Sequence, residues 1–176
     1  MTPLEKHKYA YALTSVASTG LSFIEDSLSS AMNDVTDLAY LRSFYILLSY
    51  NFELILKSRI VMLNSFSDKK SINNRLVELS HDIIKIREAL AINLEELGVK
   101  EITENANRYK VITTDNKEIY IENFTKIRYD FLDDVMRNVD NQEHTRIKEY
   151  TDILVSILRK AKEKNEEAKN RTQDNT

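Results

Sequence analysis

Two glycines and one proline in 176 residues leave this chain almost without the residues that reverse or break a backbone. An all-β fold needs a tight turn roughly every ten residues. Turns with positive φ need glycine, so this composition permits long helices with few interruptions. At 176 residues the chain has the size of one domain with a core large enough to hold without cross-links.

Hydrophobic spacing divides the chain into helices. From about Leu4 to Met32, Leu13, Val16, Leu21, Ile24 and Leu28 recur at helical intervals, with Gly20 the weak point. Asp37 can cap a second helix running to about Phe66, where Leu38, Leu41, Tyr45, Leu48, Phe52 and Ile55 form one stripe and Phe44, Leu47, Leu54 and Val61 a second. A helix apolar on so much of its circumference belongs at the centre of a bundle. SDKKS marks a turn before a third helix from about Ile72 to Leu97, and Gly98 stands where a C-terminal cap belongs.

The period then changes. Tyr109, Val111 and Thr113 alternate, as do Ile119 and Ile121 beyond the turn-forming Asp115 and Asn116, which predicts a short β-hairpin over about 107–122, lying against the bundle. Helical spacing resumes with Phe124, Ile127, Phe131, Val135 and Val139 and continues through Ile147, Tyr150, Leu154, Ile157 and Ala161. Asp140 and Glu143 form a capping-box pattern that would restart a helix, so one long helix and two shorter ones both remain open. The expected architecture is all-α: a four- to five-helix bundle over 1–160, with the hairpin inserted before the last long helix and a polar C-terminal tail over 161–176 that reads as the frayed, solvated end of that helix.

Composition excludes several functions. There is no cysteine, hence no disulfide, thiolate nucleophile or cysteine-held metal. Charged residues are 30% of the chain with a net charge of -3, so no global field draws it to nucleic acid or acidic lipid. The most apolar run, FYILLSYNFELILKSRIVML, carries Glu53, Lys57 and Arg59, which argues against a membrane span. The N-terminal stretch lacks the apolar core of a signal peptide, and the cytoplasm is the expected compartment. No glycine cluster cradles phosphate, and His7, His81 and His144 lack metal-ligand spacing, so neither a cofactor nor a metal is expected.

Glu53 and Lys57 stand one turn apart with glutamate toward the N-terminus, the favourable order for an ion pair. The bland reading is a structural pair. The sharper one is a polar site in the bundle core that includes His81, itself more often a hydrogen-bonded structural residue than a base.

Taken in order, NFELILK on the second helix, SHDIIKI on the third and IENFTKIRYDF at the start of the last resemble the HEPN-like superfamily (higher eukaryotes and prokaryotes nucleotide-binding) over about Leu38 to Leu158. The resemblance implies a helical bundle, commonly a homodimer. Many members are metal-independent ribonucleases of toxin, CRISPR-associated or phage-defence systems, and others are non-catalytic. Active members carry an arginine, usually a polar residue after it, and a histidine after four to six intervening residues. Histidine transfers protons at the 2′-hydroxyl or the leaving oxygen while arginine stabilises phosphate charge.

Arg128 and Tyr129 match the family's arginine-tyrosine element, but Asp133, Asp134 and Val135 occupy the positions where a histidine should follow. Arg137, followed by Asn138 and separated by six residues from His144, satisfies the catalytic pattern. Arg75 and His81 satisfy the spacing too, with Leu76 in place of the polar residue. Roughly 0.5 such matches arise by chance in a chain of this composition, and the same residues can serve as helix-surface ion pairs. Two readings follow: a ribonuclease with Arg137, Asn138 and His144 as its site, or a non-catalytic module binding a nucleotide or a cognate protein near Glu53, Lys57, His81, Arg128 and Tyr129. A third is a self-associating helical protein using the apolar girth of the second helix.

Overall fold

The structure is a computed structural model that describes residues 1–30, 38–99, 110–112, 118–120 and 143–171. Its elements are α1 (Pro3–Ser30), α2 (Leu38–Leu63), α3 (Lys69–Leu79), α4 (Ile83–Leu90), a 3₁₀ helix (Ala91–Leu97), strands β1 (Lys110–Ile112) and β2 (Glu118–Tyr120), and α5 (Glu143–Asn170). The fold is a helical bundle.

α1 opens with a capping box: the Glu5 amide donates to Thr2 Oγ1 at 3.2 Å and the Thr2 amide to Glu5 Oε2 at 2.7 Å. Pro3, the one proline of the chain, takes the first helical position, where its missing N–H costs nothing. The helix buries Ala10, Thr14, Ala17, Leu21, Ile24 and Leu28, one stripe at alternating four- and three-residue steps. Val16, expected on that stripe, is 53% exposed on the opposite side. α1 runs through Gly20 without a break, although glycine there carries its usual propensity cost. A methyl there would meet the buried Asn51 amide oxygen at 2.5 Å, so glycine is what lets α2 approach so closely.

α2 is central, as its two stripes require: it packs against α1, α4 and α5, and every residue from Asn51 to Met62 is buried. The main core joins Leu21 and Ile24 of α1, Phe44, Tyr45, Leu48, Phe52 and Ile55 of α2, Ile86 and Leu90 of α4, and Tyr150, Leu154 and Ile157 of α5. A smaller cluster of Ala10, Val61, Met62 and Ile72 closes the far end. There Lys6 Nζ donates to the Met62 and Asn64 carbonyls, both at 3.0 Å, ending α2 with a cation where its dipole favours one.

Where one helix was expected from Ile72 to Leu97, the chain forms three pieces. Asp68 caps α3, accepting from Ser71 N at 2.8 Å. At its end Ser80 takes φ 50°, and Asp82 accepts from the amides of Ile84 and Lys85 at 3.0 and 3.2 Å to start α4. The side chain of Asp82 satisfies the new helix's orphan donors, which offsets the break. A second turn at Ala91, φ 44°, passes into the 3₁₀ helix. Gly98 ends it at φ 74°, its amide donating to Glu95 O, the capping role its position foretold.

β1 and β2 pair antiparallel with Val111 opposite Ile119. The turn and the docking of the hairpin expected over 107–122 lie outside the described residues, as do Asp37, Asp140 and the stretch from 123 to 142 for which the spacing predicts a helix. The stretch from 161, read as a frayed, solvated helix end, does continue α5 to Asn170, but Ala161 and Asn165 on it are buried. Its charges flank a thin inward line of small and amide side chains.

Candidate functional site

The buried run of α2 carries three charges, and each meets partners brought by another element. Glu53 is 1% exposed and Lys57 7%. Lys57 Nζ donates to Glu53 Oε1 at 2.6 Å and to the Ser80 carbonyl at 2.5 Å. The positive φ of Ser80 thus occurs in the residue whose carbonyl meets the ammonium. His81, one residue on, sets Nδ1 2.9 and 3.2 Å from the two Glu53 oxygens. A carboxylate facing Nδ1 favours the tautomer with its proton there and fixes the ring plane. The His81 side chain is 48% exposed, so a buried carboxylate holds a ring that reaches the surface. Glu53, Lys57 and His81, three of the five expected binding residues, therefore stand together; Arg128 and Tyr129 lie outside the described residues.

Of the expected catalytic residues, Arg137 and Asn138 also lie outside them. His144 is in the first turn of α5, half-buried, and its Nε2 is shut off from solvent without a hydrogen-bond partner among the described residues. The alternative Arg75–His81 pair divides between two partners: Arg75 Nη1 bonds Glu78 Oε2 at 2.8 Å, and His81 faces Glu53.

A second polar cluster escaped the sequence reading. Arg59, 3% exposed, donates from Nη1 to Asn165 Oδ1 at 2.9 Å, and Asn165 Nδ2 donates to Ser58 Oγ at 3.2 Å. Burial holds the Arg59 guanidinium below its ordinary pKa, while Glu96 and Glu167 pull the other way. Beside it, His7, Tyr11, Thr14, Lys162, Asn165 and Glu166 line a cavity of about 120 Å³. His7 Nε2 lies 2.7 Å from Glu166 Oε1, and Lys169 pairs with the other Glu166 oxygen. The bond from Lys169 and, after it, the proximity of His7 hold the Glu166 carboxyl below its usual range. The signal was present: 161, 165 and 168 continue the stripe of 147, 150, 154 and 157, with alanine and asparagine in place of large apolar residues.

Among the described residues no group of three histidine, aspartate or glutamate side chains is placed to hold a metal ion, and no helix is long and apolar enough to cross a membrane. Compared with family models, with curated proteins and with solved structures, the chain matches none of them.

Proposed function

We propose that the chain is a HEPN-like helical protein that cleaves RNA without a metal, as in toxin or phage-defence systems, with His144 as the proton-transfer group and Arg137, aided by Asn138, as the stabiliser of phosphate charge. The observation that carries this reading is His144 Nε2, buried and without a partner among the described residues. An unsatisfied buried nitrogen costs about 1–3 kcal/mol, and a substrate hydroxyl or leaving oxygen would satisfy it. Histidine takes the proton of the 2′-hydroxyl as that oxygen attacks phosphorus. The bond from phosphorus to the 5′-oxygen breaks to leave a 2′,3′-cyclic phosphate and a 5′-hydroxyl that takes up a proton, and the guanidinium meets the charge that develops on the phosphate. A homodimer would bring two such pairs together. In the test, mixed RNA is incubated with wild type and with His144→Ala, both with a chelator present. Cleavage by wild type alone supports the reading; intact RNA, or equal cleavage by both, sinks it.

A second reading, a non-catalytic module of the same fold that binds a nucleotide or a cognate protein, is favoured by the Glu53–His81 pair. A half-exposed imidazole oriented by a buried carboxylate presents a fixed polar group without needing Arg137. Under this reading His81→Ala abolishes ligand or partner binding, and His144→Ala leaves it unchanged.

A further inference from the structure

One lysine of α5 lines a cavity and has no carboxylate to pair with. The cavity, about 120 Å³, lies between His7, Tyr11 and Thr14 of α1 and Lys162, Asn165 and Glu166 of α5. Thr14 and Asn165 are its buried floor, and Tyr11, 61% exposed, stands at its mouth. Around it the charges are already matched. Lys164 meets Glu167 at 3.0 Å, and Glu166 is taken at one oxygen by His7, at 2.7 Å, and at the other by Lys169. Glu166 is the one acid three or four residues from Lys162, the reach of a helical ion pair. Its engagement elsewhere leaves the Lys162 ammonium with neither an ion pair nor a hydrogen bond among the described residues.

The floor adds a second donor. Asn165 Oδ1 accepts from Arg59 Nη1 at 2.9 Å, which settles which amide atom is the oxygen, and Nδ2 gives one hydrogen to Ser58 Oγ at 3.2 Å. The other amide hydrogen has no acceptor among the described residues, and the buried Arg59 cation behind it polarises the amide toward donation. Thr14 adds no donor, because its hydroxyl hydrogen is spent on the Ala10 and Tyr11 carbonyls of its own helix.

An ammonium, an amide N–H and the Tyr11 hydroxyl thus line one small space. We infer that the cavity binds a small carboxylate of about two to four carbons, its oxygens on Lys162, Asn165 and Tyr11 and its short chain against the His7 and Tyr11 rings. Size sets the limit: about 120 Å³ is the liquid share of roughly four waters, well below the ~300 Å³ or more of a pocket that encloses a larger ligand. Charge sets the class. One unpaired ammonium beside Glu166 matches a monoanion, whereas a phosphate dianion would bring a second negative charge without a partner. The inference stands apart from the ribonuclease reading: carboxylate binding with RNA left intact keeps it and removes that one, and cleavage without binding does the reverse.

A ligand of about four to six heavy atoms gains little affinity, so a dissociation constant of about 1 mM is expected. The test is an amide-resolved NMR titration of the full chain with propionate, at constant ionic strength, to about 50 mM, well past that constant. The amides of Tyr11, Thr14 and Asn165 should shift and saturate. Propionamide, the neutral isostere, and inorganic phosphate should each bind at least about tenfold more weakly. Lys162→Met keeps the side chain's stem and removes its charge, and should weaken propionate by about tenfold. Unchanged amide positions away from the cavity check that this variant is folded. No saturation by the highest concentration, equal binding of propionamide or phosphate, or an undiminished response in Lys162→Met overturns the inference.

Discussion

The two ends of the buried stretch of α2 handle charge in opposite ways. At Glu53 an anion is surrounded by donors, Lys57 from its own helix and His81 from the α3–α4 break, so that opposite charges meet directly. Six residues on, Arg59 forms no ion pair among the described residues and rests on a neutral amide 106 positions away in sequence. The first arrangement is closed around a charge pair that burial makes costly to divide. In the second, neighbouring carboxylates and one hydrogen bond hold a single cation in place.

Dividing the Glu53 pair should have the largest effect. Glu53→Ala leaves the Lys57 ammonium buried without its counter-charge and should cost about 3–5 kcal/mol in urea unfolding. The double replacement Glu53→Leu/Lys57→Met removes both charges and should recover most of that loss. Asn165→Ala, which strips one partner from Arg59 and one from Ser58, should cost about 1–3 kcal/mol by the same measurement. Were it to cost as much as Glu53→Ala, the contrast between a paired and an unpaired charge would be broken.

Gly20→Ala measures the packing between these clusters and α1. Helix propensity favours alanine by about 1 kcal/mol, whereas crowding Asn51 costs about 1–3 kcal/mol, so a net loss of about 1 kcal/mol is expected. Removing the obstacle as well, in Gly20→Ala/Asn51→Ala, should leave α1 with its propensity gain, which chemical denaturation of both variants will show.

The smallest effect is a pH dependence. Glu166 and Glu167 are held below the ordinary glutamate value of 4.5, first by their bonds from Lys169 and Lys164 respectively. A depressed carboxyl contributes stability that is present above its unfolded value and lost as pH falls through its folded one. The anchoring of α5 against His7 should therefore weaken only below about pH 4.5. A Glu166→Gln variant, compared with wild type across that window, should show a shallower acid decline; parallel curves would remove Glu166 from the account.

What was legible in the sequence had short range. The Glu53–Lys57 pair lies within one turn, α2 showed its centrality in two apolar stripes, and Gly98 marked a cap because only one chain direction needs glycine there. What was not legible depended on partners far away. Val16 fits the helical interval of α1 and still faces outward, because the buried stripe runs through Thr14 and Ala17 instead. Asn165 reads as solvated until Arg59 is placed beside it. The α3–α4 break was hidden because the apolar period passes through Ser80 and Asp82 unchanged, so only the capping bonds of Asp82 reveal it.

That break has one further consequence. Both acceptors of the Lys57 ammonium are protein atoms, one of them the carbonyl of the residue that ends α3. An amine-reactive reagent therefore reaches this nitrogen only while Ser80 has swung away. Lys57 is in effect a clock for local opening: its acylation rate, set against that of exposed Lys8, times how often the joint between α3 and α4 comes apart while the rest of the bundle stays folded.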